Sequence, residues 1–565
     1  MVRIVAILLL LSGLLPRLCH SQEIPEADRV RSLIAKYGQA EVKIITSGRI
    51  DLDRLTRNVS IARFRDNVIT VILSRSTAGW FLAQGYNFTV AEETGSKGII
   101  NSENVASAMQ WETYPSYPQY DSIMRYFASA YPLLCRLDTI GTSIRGKLVL
   151  ALRISGKTGA HEAQPAVFYS STIHGDETGG FVLMLRLADY LLKNYYLDNT
   201  VKDLVDNLEI WINPLANPDG TYNSGDFIVS PVRTNANGVD LNRNFPDPEL
   251  PVTLRQKETL DMMSFLGKHR FVLSANFHSG EEVVNYPWDR WERAHADQDW
   301  FNSISRSYAD TAHLYAPDGY MKFLDNGVTN GYAWYPVFGG RQDYVTYSLQ
   351  GREVTIELDN NFITPAAELG YLWEYNRRSL TGYLGNALYG IHGIVKDSET
   401  SAPVPSKIFI EDHDKDNSWV YSDSVTGSFT RFLAPGTWKL TVSSDGYITG
   451  TVTSVDVTSL NETFLTIELK KIINQADTST APFIYPNPGR DFVRAILPGS
   501  VRGTVNVKIF NPAGQLLADY DTEAISGSPV LTDIRNFSAG TYIVVYTSKA
   551  TGRSYRGRII VLKRN

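Results

Sequence analysis

Apolar runs of strand length alternate with segments of helical periodicity through the middle of the chain. The runs cover residues 147–154, 166–173, 208–213 and 271–277. Between them, residues 181–194 place apolar side chains at the spacing of one helix face. Such alternation is typical of a mostly parallel or mixed sheet with helices on both of its faces. We therefore predict an α/β domain over residues 108–388.

The segment before this domain shows the same alternation on a smaller scale. Its strand and helix patterns, in chain order, cover residues 42–46, 52–58, 68–73, 76–84 and 88–91. This order predicts a small split-βαβ module over residues 22–105. No cluster of chemically reactive side chains stands out within it, and the sequence leaves open whether the module is a removable inhibitory propeptide.

After residue 388 the pattern changes to short alternating strands that Gly and Pro interrupt. The strands cover residues 391–395, 407–410, 429–432, 437–442 and 464–469. Alternating apolar and polar positions in strands of this length predict a small β-sandwich over residues 389–472. A polar linker follows at residues 473–482, and a second small β unit is predicted over residues 483–565.

The first residues carry the pattern of a secretory signal peptide. Arg3 precedes an apolar run over residues 4–15, and small side chains follow at Cys19 and Ser21. The run is shorter than the ~20 apolar residues that a membrane-spanning helix needs. We therefore predict a signal peptide over residues 1–21 and no transmembrane segment in the mature chain.

Composition narrows the class of protein without indicating a chemistry. The chain has 565 residues, of which 43% are hydrophobic and 20% charged, and its formal net charge is -6. A chain of this length is too long to fold around one hydrophobic core, so several domains are expected. Its acidic balance argues against nucleic acid or an anionic membrane as the main partner. Cys135 is the one cysteine left after removal of the signal, so no disulfide framework is predicted.

Three segments far apart in the sequence supply the groups that suit a zinc site. His174 and Glu177 lie in one, His278 in the second and Glu357 in the third. Catalytic zinc takes three protein ligands and leaves one position open, and a further carboxylate can act as a base. Both histidines directly follow an apolar strand run, where ligands of α/β domains collect. A His-x-x-Glu pair alone is weak evidence, because a surface histidine beside a solvated glutamate has the same pattern.

Further motifs surround these residues along the chain. They occupy residues 173–177 (IHGDE), 217–220 (NPDG), 238–247 (GVDLNRNFPD), 276–280 (NFHSG), 285–289 (NYPWD), 331–336 (GYAWYP), 339–344 (GGRQDY) and 355–358 (TIEL). Their order resembles that of the zinc metallocarboxypeptidase family, in the branch that contains carboxypeptidases N, E, D and M. The resemblance implies a mixed eight-stranded sheet flanked by helices, one Zn2+ per chain, and hydrolysis of C-terminal peptide bonds.

Carried over position by position, the resemblance implies a chemical role for five side chains. The zinc ligands would be His174, Glu177 and His278. Glu357 would be the general base and acid. Arg233 would polarise the scissile carbonyl and stabilise its oxyanion, as a fixed positive charge can do at a developing negative one.

A second group of matching residues is implied to hold the substrate. Asn242 and Arg243 would clamp its terminal carboxylate, which a guanidinium can meet in a bidentate fork. Tyr335 would close over the substrate. Asp289 would form the floor of the pocket for the terminal side chain, with Gln342 as a polar neighbour, and a buried carboxylate there favours Lys or Arg. The competing interpretations are a structural salt bridge for Arg243, aromatic packing for Tyr335 and surface capping for Asp289.

Two more resemblances lie in the C-terminal β regions. Residues 389–472 resemble the transthyretin-like domain of the same branch, and residues 483–565 resemble the C-terminal sorting domain of type IX secretion substrates. The matching pieces are residues 391–395 (IHGIV), 432–436 (FLAPG) and 444–447 (SDGY) in the first, and 485–488 (YPNP), 511–514 (NPAG), 539–542 (AGTY) and 558–563 (RIIVLK) in the second. The second resemblance implies an outer-membrane secretion machinery as partner. It also implies a protein secreted by, or attached to the surface of, a Gram-negative bacterium. A terminal β domain that binds another partner is the alternative.

An alternation of acidic residues in the first of these units suggests a cation site at first sight. Asp412, Asp414 and Asp416 are spaced as calcium ligands might be. The glycine and the closing glutamate of an EF-hand loop are missing, so a solvated turn is the favoured interpretation.

These observations lead to one hypothesis and two rivals. The hypothesis is a secreted zinc carboxypeptidase that removes C-terminal Lys or Arg from peptides and proteins. One rival is a zinc peptidase that cleaves cell-wall peptides, whose terminal residue can also be basic. The other rival is a non-catalytic surface binding protein on the same fold. The presence of Glu357 argues against it, because an inactive copy has no need of the base.

Overall fold

The computed structural model describes residues 25–46, 51–91, 98–157, 162–251, 254–472, 481–497, 501–525 and 528–562. The predicted signal peptide at residues 1–21 and most of the predicted linker at residues 473–482 lie outside these ranges. No helix within them is long and apolar enough to cross a membrane.

The N-terminal unit is a four-stranded antiparallel sheet in the order β2-β3-β1-β4, covered by three helices. Its elements are α1 Glu26–Tyr37, β1 Gln39–Ile45, α2 Leu52–Thr56, β2 Ser60–Arg65, β3 Val68–Ser74, α3 Ala78–Ala83 and β4 Thr89–Val90. Gly38 ends α1 with a left-handed φ of 91°, so β1 begins at the next residue. The sequence pattern did not indicate β2, because a β-bulge between Ile61 and Arg63 interrupts its alternation of apolar and polar positions.

The middle unit is built around a mixed eight-stranded sheet in the order β11-β10-β12-β9-β7-β8-β6-β5, which confirms the expected fold class. Its strands are β5 Cys135–Thr142, β6 Leu148–Ile154, β7 Ala166–Ser171, β8 Glu209–Asn213, β9 Leu273–His278, β10 Glu282–Tyr286, β11 Val328–Asn330 and β12 Arg352–Leu358. The central strands β8, β7, β9 and β12 run parallel to one another. Their carboxyl ends therefore meet at one edge of the sheet.

Helices cover both faces of this sheet. They are α4 Val105–Ala108, α5 Tyr117–Ala130, α6 Gly179–Asn194, α7 Asn199–Asn207, α8 Pro218–Thr221, α9 Lys257–His269, α10 Gln298–His313, α11 Phe323–Gly327, α12 Gly331–Trp334, α13 Arg341–Asp343 and α14 Leu369–Gly385. On one face α5, α6, α10 and α14 share a single apolar core with the sheet. On the other face α9 packs through Met262, Phe265 and Leu266. Burial on both sides fixes the strand ends as a rigid platform.

Two β-sandwich units follow the middle unit. The first pairs the sheet β16-β13-β19 with the sheet β15-β14-β17-β18, and the second pairs β20-β21-β24 with β23-β22-β25-β26. Their strands are β13 Gly390–Asp397, β14 Lys407–Ile410, β15 Val420–Tyr421, β16 Ser428–Arg431, β17 Gly436–Ser443, β18 Gly450–Val457, β19 Glu462–Leu469, β20 Phe483–Tyr485, β21 Phe492–Ile496, β22 Gly503–Phe510, β23 Leu516–Ala524, β24 Val530–Asp533, β25 Gly540–Ser548 and β26 Ser554–Val561. Each unit has its own buried apolar core.

Buried ion pairs join the first β-sandwich to the middle unit. Asp297, just before α10, pairs with Arg352 of β12 at 2.7 Å and with Arg431 of β16 at 2.8 Å. His413 and Asp414 enter the same cluster through Asp297 and Arg431 respectively. Because two guanidinium groups already neutralise these carboxylates, the cluster is an ion-pair network rather than a cation site. The side chain of Asp414 is buried in the interface, so the solvated-turn interpretation was wrong for this residue.

Replacing Asp297 with Asn is expected to lower the free energy of unfolding by about 3 kcal/mol, because the buried Arg352 and Arg431 would lose the carboxylate they share. Scanning calorimetry of the full chain should show this as a lower melting temperature. Asp416→Asn is the matched control, since Asp416 pairs with the exposed Arg293 and should contribute less than about 1 kcal/mol. Equal shifts for the two variants would argue against the buried network.

Candidate metal centre and substrate pocket

The carboxyl edge of the sheet brings together the residues that the sequence indicated for zinc and for proton transfer. β7 leads through a short loop to His174, and β9 ends on His278. β12 pairs with β9 in a register that places Glu357 opposite His278. Residues opposite each other in neighbouring strands present their side chains to the same face, so Glu357 and His278 face the same space.

A tight turn holds Glu177 close to His174. Gly175, between them, lies against the backbone of Gly220, where an added Cβ would come within 2.3 Å of a carbonyl carbon. Asn217 ties the neighbouring loop to this turn, because its Nδ2 donates to the carbonyl oxygen of Ile173 at 3.2 Å. The glycine therefore allows the two loops to pack closely, and both donor side chains return to one point.

Three buried side chains present their donor atoms to one another. Nδ1 of His174 lies 2.8 Å from Oε1 of Glu177, and Nδ1 of His278 lies 2.7 Å from Oε2 of the same carboxylate. The two Nδ1 atoms are 3.1 Å apart. Two imidazole nitrogens and one carboxylate form the donor set of a catalytic zinc site with an open fourth position. The residues at this position therefore fit a zinc ion.

Neighbouring side chains orient the two imidazole rings. Oδ1 of Asp240 lies 3.0 Å from Nε2 of His174, and the side-chain amide of Asn276 lies 2.7 Å from Nε2 of His278. The carboxylate of Asp240 can accept the Nε2 proton of His174, which leaves Nδ1 of that ring to bind a metal. Burial lowers the pKa of His278 to about 4, which keeps its ring neutral. Burial acts to raise the pKa of Glu177, but the two histidines hold it below its ordinary value, so this carboxylate is ionised.

Arg233 spans the space between the metal ligands and Asp240. Its Nη1 donates to Oε1 of Glu177 at 3.1 Å, and its Nε donates to Oδ2 of Asp240 at 3.0 Å. The side chain is buried, with 3% of its residue surface exposed. The two carboxylates fix the guanidinium beside the donor cluster, where it can stabilise negative charge that develops in a reaction.

Glu357 lines the same cavity and keeps one carboxylate oxygen available. Its Oε2 is buried and makes no hydrogen bond within the described ranges. Burial raises the pKa of Glu357, and the negative charge of Glu177 raises it further. A carboxyl group in this position can exchange a proton with a molecule in the cavity.

Asn242 and Arg243 lie in a short 3-10 turn at the cavity wall. Oδ1 of Asn242 accepts a hydrogen bond from the backbone N–H of Arg341 at 2.9 Å, which fixes the turn. Nη1 of Arg243 donates to the carbonyl oxygen of Asn242 at 3.0 Å. Its buried Nε has no hydrogen-bond partner in the part of the chain that the structure describes. A guanidinium with a buried donor that has no partner suits an incoming carboxylate.

A buried carboxyl group closes another side of the cavity. Asp289 accepts hydrogen bonds from Nδ2 of Asn285 at 3.1 Å and from Nε2 of Gln342 at 2.8 Å. Gly331 lies directly against it, and an added Cβ there would come within 1.9 Å of Oδ1. Burial raises the pKa of Asp289. A cation brought into this pocket would therefore stabilise the ionised form.

The N-terminal unit covers the cavity from outside. Ala62 of β2 lines it together with the metal-site residues, and the remaining volume is about 30 Å³. Each water needs ~10–15 Å³, so the space holds two or three waters and no amino-acid residue. Trp334 and Tyr335 join the apolar core of the N-terminal unit, with their ring centroids 5.0 Å apart. In this arrangement Tyr335 packs against the covering unit.

Polar contacts hold the N-terminal unit over the metal centre. Oγ of Ser60 donates to Oδ2 of Asp240 at 2.6 Å. Nε2 of Gln39 donates to Oδ2 of Asp176 at 3.0 Å, and its Oε1 accepts from the backbone N–H of Arg233 at 2.7 Å. The sequence gives no signal for Ser60 or Gln39, because each is an ordinary polar residue whose partners are 137 or more positions away.

Comparison with known proteins finds relatives of two parts of the chain. A zinc carboxypeptidase profile matches residues 120–379, and a secretion system C-terminal sorting domain profile matches residues 483–562. Carboxypeptidase D of Rattus norvegicus is 36% identical over 347 residues, which are 59% of this chain and 25% of that protein. The chain therefore spans a quarter of the length of that relative.

Two further relatives are matched over most of their length. Carboxypeptidase SOL1 of Arabidopsis thaliana is 34% identical over 60% of this chain and 69% of that protein. The carboxypeptidase N catalytic chain of Rattus norvegicus is 30% identical over 63% of this chain and 86% of that protein. These matches extend over more than two thirds of both relatives.

Proposed function

Because the chain belongs to the zinc carboxypeptidase family, we propose that it removes C-terminal residues from peptides and proteins, with a preference for Lys or Arg. The observation that carries the activity is the buried donor cluster of His174, Glu177 and His278 with Glu357 beside it. Zinc bound by these three ligands would supply a Lewis acid and lower the pKa of water.

The residues around the ligands account for the proton transfers and the charge. Oε2 of Glu357 makes no hydrogen bond among the described residues, so it can take a proton from the attacking water and return it to the leaving amine. Arg233 is fixed by Glu177 and Asp240, and it directs positive charge to the place where the carbonyl oxygen becomes negative.

The cavity wall accounts for cleavage at the chain end and for the choice of residue. Arg243 and Asn242 would bind the free terminal carboxylate, so a bond in the middle of a chain would not be placed for attack. Asp289, with Gln342 and Asn285, would receive the cationic end of a Lys or Arg side chain. Tyr335 would line the substrate site after the N-terminal unit has left.

We also propose that the N-terminal unit is an inhibitory propeptide. The cavity that it leaves above the metal ligands, about 30 Å³, is too small for a terminal residue. Contacts from Ser60 and Gln39 reach groups that themselves position His174 and Arg233. The proposed activity therefore requires that the unit move away, which a cut after residue 91 would favour.

The C-terminal region supports a location outside the cell. Residues 483–562 match a secretion system sorting domain. We propose that they direct the chain through the outer-membrane machinery of type IX secretion in a Gram-negative bacterium. The enzyme would then be secreted or attached to the cell surface, and its substrates would be peptide and protein C-termini found there.

Release of the terminal residue from matched peptides ending in Arg, Lys, Phe or Glu tests this function. The full chain, cut by an engineered protease site within residues 92–97, should release Arg and Lys at least about tenfold faster than Phe or Glu, because only a cation satisfies the buried Asp289. A zinc chelator should abolish release, and added zinc should restore it. A C-terminal amide should protect the peptide, because it offers no carboxylate to Arg243.

The outcomes separate the parts of the proposal. Chelator-sensitive release of Phe in preference to Arg would leave the peptidase in place and remove the Asp289 pocket. Release restricted to peptides with a D-residue at the terminus would favour a cell-wall substrate. No release from any peptide, by the cut or the uncut chain, would contradict the activity itself.

A further inference from the structure

A guanidinium group of the N-terminal unit is seated in the middle unit beside the metal centre. Nε of Arg63 donates to the carbonyl oxygen of Gly280 at 2.9 Å and lies 3.1 Å from Oε1 of Glu281. Its Nη2 also donates to the carbonyl oxygens of Gly280 and Asn360. The ring of Phe362 lies 5.6 Å from the guanidinium carbon. Two carbonyl oxygens, a carboxylate and an aromatic ring form a complete site for a cationic side chain.

The β-bulge in β2 is what brings this side chain to the middle unit. Ser60 pairs with Ile72 and Ile61 with Val71, but the next paired residue is Arg63. The extra residue restores Arg63 to the face that carries Ser60, and Arg65 follows on the same face two residues later. All three therefore contact the middle unit.

The groups around Arg63, which form its seat, lie at the same strand ends as the metal centre. Gly280 and Glu281 come two and three residues after the ligand His278, and Asn360 comes three residues after Glu357. The two turns are joined, because the backbone N–H of Gly280 donates to the carbonyl oxygen of Asp359 at 2.7 Å. A substrate bound at the metal centre would therefore pass close to the seat.

The course of β2 shows on which side of the cavity the seat lies. The carbonyl oxygen of Ile61 is 3.5 Å from Nη2 of Arg243, Ala62 faces the cavity, and Arg63 reaches Glu281. Arg243 and Glu281 thus lie at opposite ends of the part of the cavity that β2 covers. With its terminal carboxylate at Arg243, a substrate would extend toward Glu281 with the residues that precede the scissile bond. β2 runs in the opposite sense along this path.

Resting on the proposed function, we propose that Glu281, with the carbonyl oxygens of Gly280 and Asn360, is a second specificity site. It would take a Lys or Arg side chain one or two positions before the terminal residue. Before the N-terminal unit leaves, Arg63 occupies this site. The carboxylate of Glu281 therefore first binds the N-terminal unit and later selects the substrate. Ser60 and Gln39 make further polar contacts between the N-terminal unit and the middle unit, as described above.

The burial of Glu281 supports a cationic occupant. Its side chain has no exposed surface, and Arg63 and Arg65, both from the N-terminal unit, pair with it at 3.1 Å and 3.5 Å. Departure of the unit would remove both cations at once. A carboxylate left near a low-dielectric cavity attracts a cation more strongly than one on an open surface, so a basic substrate residue would replace the lost pairs.

The test compares Glu281→Gln with the cut wild-type chain on peptides that all end in Arg. Arg, Ala or Glu is placed at either of the two preceding positions. The wild type should show kcat/KM about tenfold higher for Arg than for Ala at one of these positions, and lower for Glu. Glu281→Gln should reduce this preference to less than about twofold, while the peptide with Ala is cut at the wild-type rate.

Glu374→Gln is the matched control for the lost charge, because Glu374 lies on the exposed side of α14 and pairs with Arg377 at 3.4 Å. It should keep the wild-type preference. Retention of the cut N-terminal unit in gel filtration is the second readout, and Glu281→Gln should weaken it.

Three outcomes would overturn the second site. Weaker retention of the N-terminal unit, without any preference for a basic substrate residue, would show that Glu281 only binds the N-terminal unit. An equal loss of kcat/KM on the peptides with Ala and with Arg would show that Glu281 has a structural role. No release from any peptide would overturn the proposed function and this site together, whereas release without an upstream preference overturns this site alone.

Discussion

Glu357→Gln is expected to lower kcat by about 10³-fold, which is within the range that a positioned general acid and base contributes. The amide has the shape of the carboxylate but cannot take a proton from water at neutral pH. Oε2 of Glu357 has no hydrogen-bond partner among the described residues, so the substitution breaks no contact there. Hydrolysis of a peptide ending in Arg by the cut chain measures the effect.

Zinc content is the companion measurement for this variant. His174, Glu177 and His278 are unchanged in it, so the metal content of the purified protein should equal that of the wild type. Glu374→Gln, on the exposed side of α14, controls for the loss of one negative charge. A wild-type rate in Glu357→Gln would remove this residue from the mechanism, and loss of zinc would mean that it acts through the metal site.

Cutting the chain within residues 92–97 is expected to raise the rate of release from a peptide ending in Arg by about 10²-fold. In the covered chain the cavity at the metal centre is about 30 Å³, so binding of substrate requires that the N-terminal unit first move away. The rate before cutting reports how rarely that happens. Peptide hydrolysis before and after protease treatment, at low protein concentration to favour dissociation, measures the difference.

A double variant, Arg63→Ala with Arg65→Ala, gives an independent route to the same result. It removes both cations that pair with Glu281 and leaves every residue of the middle unit unchanged. The uncut variant should be more active than the uncut wild type. The control is the wild-type chain, without the engineered site, treated with the same protease. Full activity in the uncut wild type would contradict the inhibitory propeptide and leave the peptidase in place.

Strands β6 to β9 of the middle unit were predictable because they are largely buried on both faces, whereas β5, β10 and β11 were not predicted. The runs at residues 166–173 and 271–277 appear as β7 and β9, and three of their four ends are shifted by one or two residues. β2 was not predictable by the same reasoning. Its bulge moves Arg63 and Arg65 to the face opposite to the one that strict alternation predicts, and both pair with a carboxylate of another unit.

The metal donors illustrate what a sequence determines by itself. His174 and Glu177 are separated by one turn that Gly175 keeps tight, and His278 ends a strand that its apolar residues predict. Strand ends at the carboxyl edge of a parallel sheet meet in space as a consequence of topology. Local pattern plus this topological rule was therefore sufficient to place the three donors together.

Tertiary structure alone decided how the site is oriented and covered. Asp240 reaches His174 across 66 positions, and Arg63 reaches Gly280 across 217. Neither contact has a local signature, because an aspartate in a loop and an arginine in an edge strand are compatible with solvent. The first contact follows from the packing of loops within the middle unit, and the second from the packing of the N-terminal unit on the middle unit. Both are set by complementary shape and charge over the whole contact rather than by any short stretch of sequence.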